Sequence, residues 1–94
     1  MYEILAKETV GPKLTRYVLH APRIARARRC GQFVMVRIDE NSERIPLTVA
    51  DTDPQAGTIT LIVQTVGKTT LRMSELQVGQ SIPDVAGPMG QPSH

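Results

Sequence analysis

Cysteine, tryptophan and aromatics in general are scarce in this chain. Of 94 residues one is cysteine and none tryptophan, and Tyr2, Tyr17 and Phe33 are the aromatic residues. A lone Cys30 permits no disulfide framework, no Cys-x-x-Cys redox pair and no thiolate set for an iron-sulfur cluster. His20 and His94 are too few to complete a metal site with it. Three aromatics offer few platforms on which nucleobases could stack. No apolar run approaches the length of a membrane span, and the start, Met1-Tyr2-Glu3, lacks the basic segment that opens a secretory signal. The expectation is a protein of the reducing cytoplasm, with neither membrane nor nucleic acid as partner.

Charge of one sign is also in short supply. A formal net charge of +2 is too small to argue for a polyanionic partner by itself. Arg23, Arg26, Arg28 and Arg29 do crowd one short segment. Such a cluster reads first as a solvated face, and it leaves one alternative function open: a small basic β-barrel that grips nucleic acid or a protein partner through this segment.

What is present is an ordinary globular composition, 40% hydrophobic and 21% charged, with seven glycines and seven prolines that imply many turns. A chain of this length is one domain with a modest core, burying roughly 60 to 65% of its unfolded surface. Alternating apolar residues predict strands over residues 2–10, 14–20, 32–39, 44–51, 58–65 and 81–85. Val34, Val36 and Ile38 share one face of the third of these, and Ile59, Leu61 and Val63 share the core face of the fifth. Breaks fall at Gly11-Pro12 and at Asp53-Pro54-Gln55-Ala56-Gly57. Arg23 to Arg29 reads as a loop or a helical turn after Pro22. Leu71, Met73 and Leu76 fit one short helix over residues 69–76, capped by a threonine. Six strands and one helix predict an all-β fold, an antiparallel barrel that is closed or nearly so.

Two stretches carry candidate chemistry. Arg44-Ile45-Pro46-Leu47-Thr48 places a cation, a residue without an N–H, an apolar side chain and a hydroxyl in one extended run. Proline suits an edge strand or a kink, so a gap in the ladder is expected there. Leu47 could then lie against a flat ring, the N–H and hydroxyl of Thr48 could reach its edge, and Arg44 could bond phosphate. Val66-Gly67-Lys68-Thr69-Thr70 follows a strand and opens the helix. Glycine admits close approach of backbone to a ligand, and the first N–H groups of a helix attract anions. Gly67-Lys68-Thr69 is not a nucleoside-triphosphate P-loop, because the glycine required five positions earlier is Ile62. Gly87 and Gly90 likewise fall short of a dinucleotide fingerprint, which needs a following helix and a second βα unit.

These two stretches, with Gly31-Gln32-Phe33-Val34 before them and Gly87-Pro88-Met89-Gly90 after them, resemble in order and spacing the FAD-binding domain of the ferredoxin-NADP reductase superfamily. Within it the chain is most similar to the electron-transfer subunits of dihydroorotate dehydrogenase and the small subunits of sulfide dehydrogenase and NADH-dependent ferredoxin-NADP oxidoreductase. The resemblance implies a six-stranded antiparallel Greek-key barrel with one short helix over residues 1–86, and at residues 87–94 the start of a linker to an NAD(P)-binding domain that this chain lacks. It implies FAD as cofactor. Thr69, Thr70, their N–H groups and Arg44 would hold its diphosphate, and Lys68 would be solvated or a weak phosphate contact. The isoalloxazine would lie over Leu47 near Thr48, Ile62, Val63 and Gln64 would line the ribityl chain and ring, and Gly87 and Pro88 would close the site. No side chain is implied as nucleophile or acid-base pair. NAD(P)H and a 2Fe-2S cluster are implied for the full-length relatives but are not bindable by this chain, which would work with a larger partner subunit or iron-sulfur protein and is not expected to oxidise NAD(P)H efficiently alone.

Two departures accompany the resemblance. Cys30 stands where relatives carry proline. Relatives place their arginine at the position of Ile45, whereas here it is Arg44, one residue early. In an extended strand that shift reverses the face on which the guanidinium lies unless a bulge intervenes, although the subgroup named above shares the displacement.

Overall fold

The structure, a computed structural model, describes residues 2–27, 33–39 and 43–89. Arg28, Arg29, Cys30, Gly31, Gln32, the turn at residues 40–42 and residues 90–94 lie outside them. Among the described residues seven strands and two short helices follow in the order β1 (Tyr2–Gly11), β2 (Leu14–His20), α1 (Pro22–Arg26), β3 (Phe33–Arg37), β4 (Ile45–Asp53), β5 (Thr58–Gln64), α2 (Lys68–Ser74), β6 (Ser81–Ile82) and β7 (Asp84–Met89). All pairings are antiparallel, and the strands lie in the order β6-β1-β2-β5-β4-β3-β7.

The outermost strands of that order, β6 and β7, are neighbours in sequence, separated by Pro83. They are the single last strand expected from the sequence, split because proline fixes φ and donates no ladder bond. One half pairs Tyr2 and Glu3 of β1, and the other pairs β3. The covalent chain thus carries the sheet around into a nearly closed barrel with Greek-key order, and six strands become seven. β7 also runs on through Gly87 to Met89.

Alternation drives the packing. Val34 and Val36 of β3, Ile59, Leu61 and Val63 of β5, and Tyr17 and Leu19 of β2 fill the interior with Ile4, Ile82 and Val85, the period-2 pattern of a sheet with one face in the core. The predicted turn after β4 is closed by Asp53, whose side chain accepts the N–H groups of Gln55 and Ala56, and by Gly57 at φ +72. Pro22 opens α1, which supplies Ile24 and Ala25 to the core. Helix α2 supplies Met73, which is fully buried, to the core.

Candidate functional site

The site begins as a defect in the barrel wall. On its β2 side, β5 is paired from Leu14↔Gln64 to His20↔Thr58 without interruption. On its β4 side the ladder runs from Asp53↔Thr58 only to Val49↔Leu61, with an irregularity at Ala50. Continued at the same register it would set Thr48 opposite Ile62, Leu47 opposite Val63 and Pro46 opposite Gln64. Instead residues 45–48 of β4 pair with β3, residues 62–64 of β5 pair with β2, and a seam opens between them. Pro46, with no N–H to give a neighbour, sits within the stretch that β5 does not pair. Of the six residues that face across the seam, Leu47, Thr48, Ile62, Val63 and Gln64 are those expected at the ring and ribityl end of a flavin, and Pro46 lies beside them.

Their side chains divide by face. Leu47 and Val63 belong to the core, at 8% and 2% exposure, so what Leu47 presents to the seam is chiefly backbone. Pro46, Thr48, Ile62 and Gln64 are exposed. Ile62 offers an apolar surface on the outside of the barrel.

Beyond the seam the wall parts into a cleft of about 560 Å³, lined by Glu43 and Ile45 on one side and by Val66, Gly67, Lys68, Thr69, Thr70 and Arg72 on the other. That volume falls within the roughly 300 to 1,000 Å³ of small-molecule sites. The turn into α2 is held rigidly. The Thr70 hydroxyl accepts the N–H groups of Val66 and Gly67, both at 2.9 Å, and donates to the Gly67 carbonyl at 3.1 Å. Leu71 N–H then bonds the same carbonyl at 2.9 Å, so the N–H groups of Lys68, Thr69 and Thr70 precede the intrahelical ladder. The Thr70 hydroxyl is therefore committed to shaping the turn, and its residue is buried.

The other end of α2 is tied to the barrel. Lys7 donates to the carbonyls of Ser74 and Leu76 at 2.6 and 2.7 Å, and Tyr17 donates to that of Met73 at 2.8 Å. A cation at the carbonyl end of a helix complements its dipole. Burial pushes the Tyr17 phenol above its ordinary value of 10.0, against a smaller downward pull from a hydrogen bond with Thr15, so it remains a donor at neutral pH.

Gly67 tests whether the cleft suits a ligand. Its φ of −161 is open to any residue, and a Cβ built there meets no atom within 4 Å. Neither a steric contact nor the backbone angle calls for glycine at that position, although glycine is acceptable as the cap of α2. Gly67 lines the cleft, and its bare backbone is open to contact by a bound group there. With the N–H groups of Lys68 and Thr69 at the helix start and two cations against one carboxylate, Glu43, in its lining, that space fits a phosphate-bearing ligand, and the seam beside it is flanked by apolar Ile62.

Other predicted residues lie elsewhere. Arg44 is exposed and bonds Asp84 at 3.0 Å. Asp84 also faces Arg37, 3.7 Å away, so Arg44 reaches across β3 towards β7 rather than into the cleft. Gly87, at φ +148, and Pro88 fall at an irregularity in the β3–β7 pairing, between Met35↔Ala86 and Phe33↔Met89. β3 separates them from the seam. Sequence reasoning missed Arg72, Glu43 and Val66 as lining residues. For Arg72 there was a signal, since Lys68 and Arg72 are four apart and so share a helix face.

Among the described residues no group of His, Cys, Asp and Glu could hold a metal ion, and no helix is long and apolar enough to cross a membrane. Residues 2–94 match the model of the oxidoreductase FAD-binding domain family. The dihydroorotate dehydrogenase B (NAD(+)), electron transfer subunit homolog of Thermotoga maritima is 44% identical over 91 residues, which cover 97% of this chain and 32% of that protein. An uncharacterized protein in the adh 3' region of Clostridium beijerinckii is 41% identical over 93 residues, 99% of this chain and 31% of its own. A solved structure of NADH-dependent reduced ferredoxin-NADP oxidoreductase superposes with a TM-score of 0.96 at 42% identity, covering 100% of this chain and 34% of that one. The chain spans about a third of the length of the curated relatives it matches. Barrel, seam and sequence agree: this chain belongs to the oxidoreductase FAD-binding domain family.

Proposed function

We propose that the seam and cleft together hold FAD, the ring system along residues 46–48 and 62–64 and the diphosphate at the Gly67 to Thr70 turn. The observation that carries this reading is Gly67, a glycine that neither sterics nor its φ requires, lining a cleft at the start of α2 beside the N–H groups of Lys68 and Thr69. A helix N-terminus contributes about 0.3 to 2 kcal/mol to holding an anion and a hydrogen bond to a charged group about 1.5 to 3 kcal/mol. Several such contacts, added to the burial of a ring, are needed for tight binding.

Bound FAD would supply the electron chemistry, accepting a hydride from a reduced nicotinamide and passing electrons onward. The chain's residues bind and orient. The rigid turn built on Thr70 fixes the phosphate end, and the unpaired backbone of residues 46–48 offers hydrogen bonds to the edge of the ring. The relatives are named as an electron transfer subunit homolog and as an NADH-dependent reduced ferredoxin-NADP oxidoreductase. By that analogy this chain is the flavin module of a larger cytoplasmic electron-transfer oxidoreductase, exchanging electrons between NAD(P)H and an iron-sulfur protein or partner subunit, with residues 1–86 as the module and the following residues leading towards a nicotinamide-binding domain.

The test is a paired titration of the 94-residue chain with FAD and riboflavin, followed by flavin absorbance of the protein after ultrafiltration. FAD is expected to bind at least tenfold tighter. Gly67→Ala should weaken FAD binding while changing unfolding free energy by less than about 1 kcal/mol. Equal, very weak retention of both flavins by the unmodified chain would sink the reading, and unchanged FAD affinity in Gly67→Ala would remove the turn from the site.

A further inference from the structure

Resting on the flavin reading above, we infer that Arg72, and not Arg44, is the residue by which this domain selects a flavin dinucleotide over a flavin without phosphate. Arg44 does not line the cleft, and its guanidinium points to Asp84 at the far side of β3. Arg72 lines the cleft one helical turn beyond Lys68, on the same face of α2. Its guanidinium is 2.8 Å from Asp39, just beyond the end of β3, and its side chain is 53% exposed.

That pairing suits a recognition residue. A long side chain already held in one direction loses less freedom when a ligand arrives. An exposed ion pair is also weak enough to be shared or exchanged. A diphosphate entering beside Gly67 would meet Arg72 as a planar fork that can bond two oxygens at once, whereas Lys68 offers a single, strongly hydrated point charge. Glu43 on the opposite wall of the cleft and Asp39 behind the guanidinium oppose an anion. The two cations of α2 must outweigh them, and the oriented one contributes more.

The placement of Arg72 depends on the anchors at the opposite end of its helix. Lys7 and Tyr17 hold the carbonyls of residues 73, 74 and 76, which fixes α2 against rotation about its own axis. Arg72 immediately precedes the first of these anchored carbonyls.

The experiment measures FAD and riboflavin affinity side by side for the 94-residue chain and for Arg72→Met, Arg72→Lys and Arg44→Met, with thermal melts to verify folding. Arg72→Met is expected to lose about 10- to 100-fold in FAD affinity with riboflavin affinity changed less than about twofold. Arg72→Lys should recover part of the loss, and Arg44→Met should leave the ratio of the two affinities unchanged. Equal losses for both flavins in Arg72→Met, or a ratio that moves with Arg44 and not with Arg72, would overturn the inference while leaving the flavin reading in place. An unmodified chain that shows no preference for FAD would overturn both.

Discussion

Strand β5 has two unlike edges. Towards β2 it is paired over its whole length, seven residues against seven. Towards β4 it is paired only from Thr58 to Leu61. The first edge satisfies each strand with backbone and buries Tyr17, Leu19, Ile59, Leu61 and Val63 at 2% exposure or less. The second leaves backbone unmatched at Ile62 to Gln64 and at residues 45–48, next to a cleft. Unmatched backbone beside a cavity is costly unless water or a ligand meets it, so the two edges divide the labour. One holds the barrel, and the other, on the proposed reading, is where the ligand lies.

The division is open to test, and the largest effect belongs to the paired edge. Leu61 is fully buried, and Leu61→Ala should cost about 2 to 5 kcal/mol of unfolding free energy, measured by urea denaturation. Because its side chain points away from the seam, the folded fraction should retain the preference for FAD over riboflavin. Loss of that preference in step with stability would show that the edges are coupled and the comparison is misdrawn.

A smaller effect on stability, with a larger one on binding, is expected at the open edge. Thr70→Val keeps the shape of the side chain and removes the oxygen that accepts the N–H groups of Val66 and Gly67. Val66 and Gly67 are exposed, so water can replace the lost acceptor, and the expected cost in stability is about 1 kcal/mol. The turn would lose its fixed geometry, and FAD affinity should fall by more than riboflavin affinity. Equal FAD affinity in Thr70→Val and the unmodified chain would mean that the turn need not be rigid to bind.

Much of this was legible in the sequence, and the boundary of legibility is physical. Alternation at Ile59, Leu61 and Val63 gave the core face of β5, because a period of two is local. The turn at Asp53 to Gly57 was readable for the same reason, whereas the gap expected at Pro46 falls on the β5 side alone, where the ladder already ends at Val49, and Pro46 itself pairs with Met35. Pro22 to Arg29 left open whether a loop or a helical turn follows Pro22, and a five-residue helix forms as far as Arg26. Pro83 was visible as a proline, yet its consequence, one strand serving both ends of the barrel, depends on which strands lie beside it. The partner of Arg44 was illegible because it lies across β3 on β7, and only the register Arg37↔Asp84 brings it near. Arg72 was hidden among packing residues, since the sequence shows that Leu71, Arg72 and Met73 occupy different faces of a helix but not which face the barrel takes.

The smallest predicted effect bears on the arginine that sequence resemblance and structure place differently. Asp84 accepts from Arg44 at 3.0 Å and faces Arg37 at 3.7 Å, with both arginine side chains well exposed. Solvent-exposed pairs of this kind contribute about 0 to 1 kcal/mol, so Asp84→Asn should shift unfolding free energy by less than about 1 kcal/mol. It would also release Arg44 from its present direction. If the cleft owes its selectivity to α2, the released guanidinium changes nothing and FAD affinity stays where it was. If instead FAD affinity rises and the rise disappears in the double variant with Arg44→Met, then Arg44 can swing to the phosphate once Asp84 lets go. The ion pair across β3 would in that case be a competitor for the cofactor's charge, and the paired region and the open one would be in electrostatic contact after all.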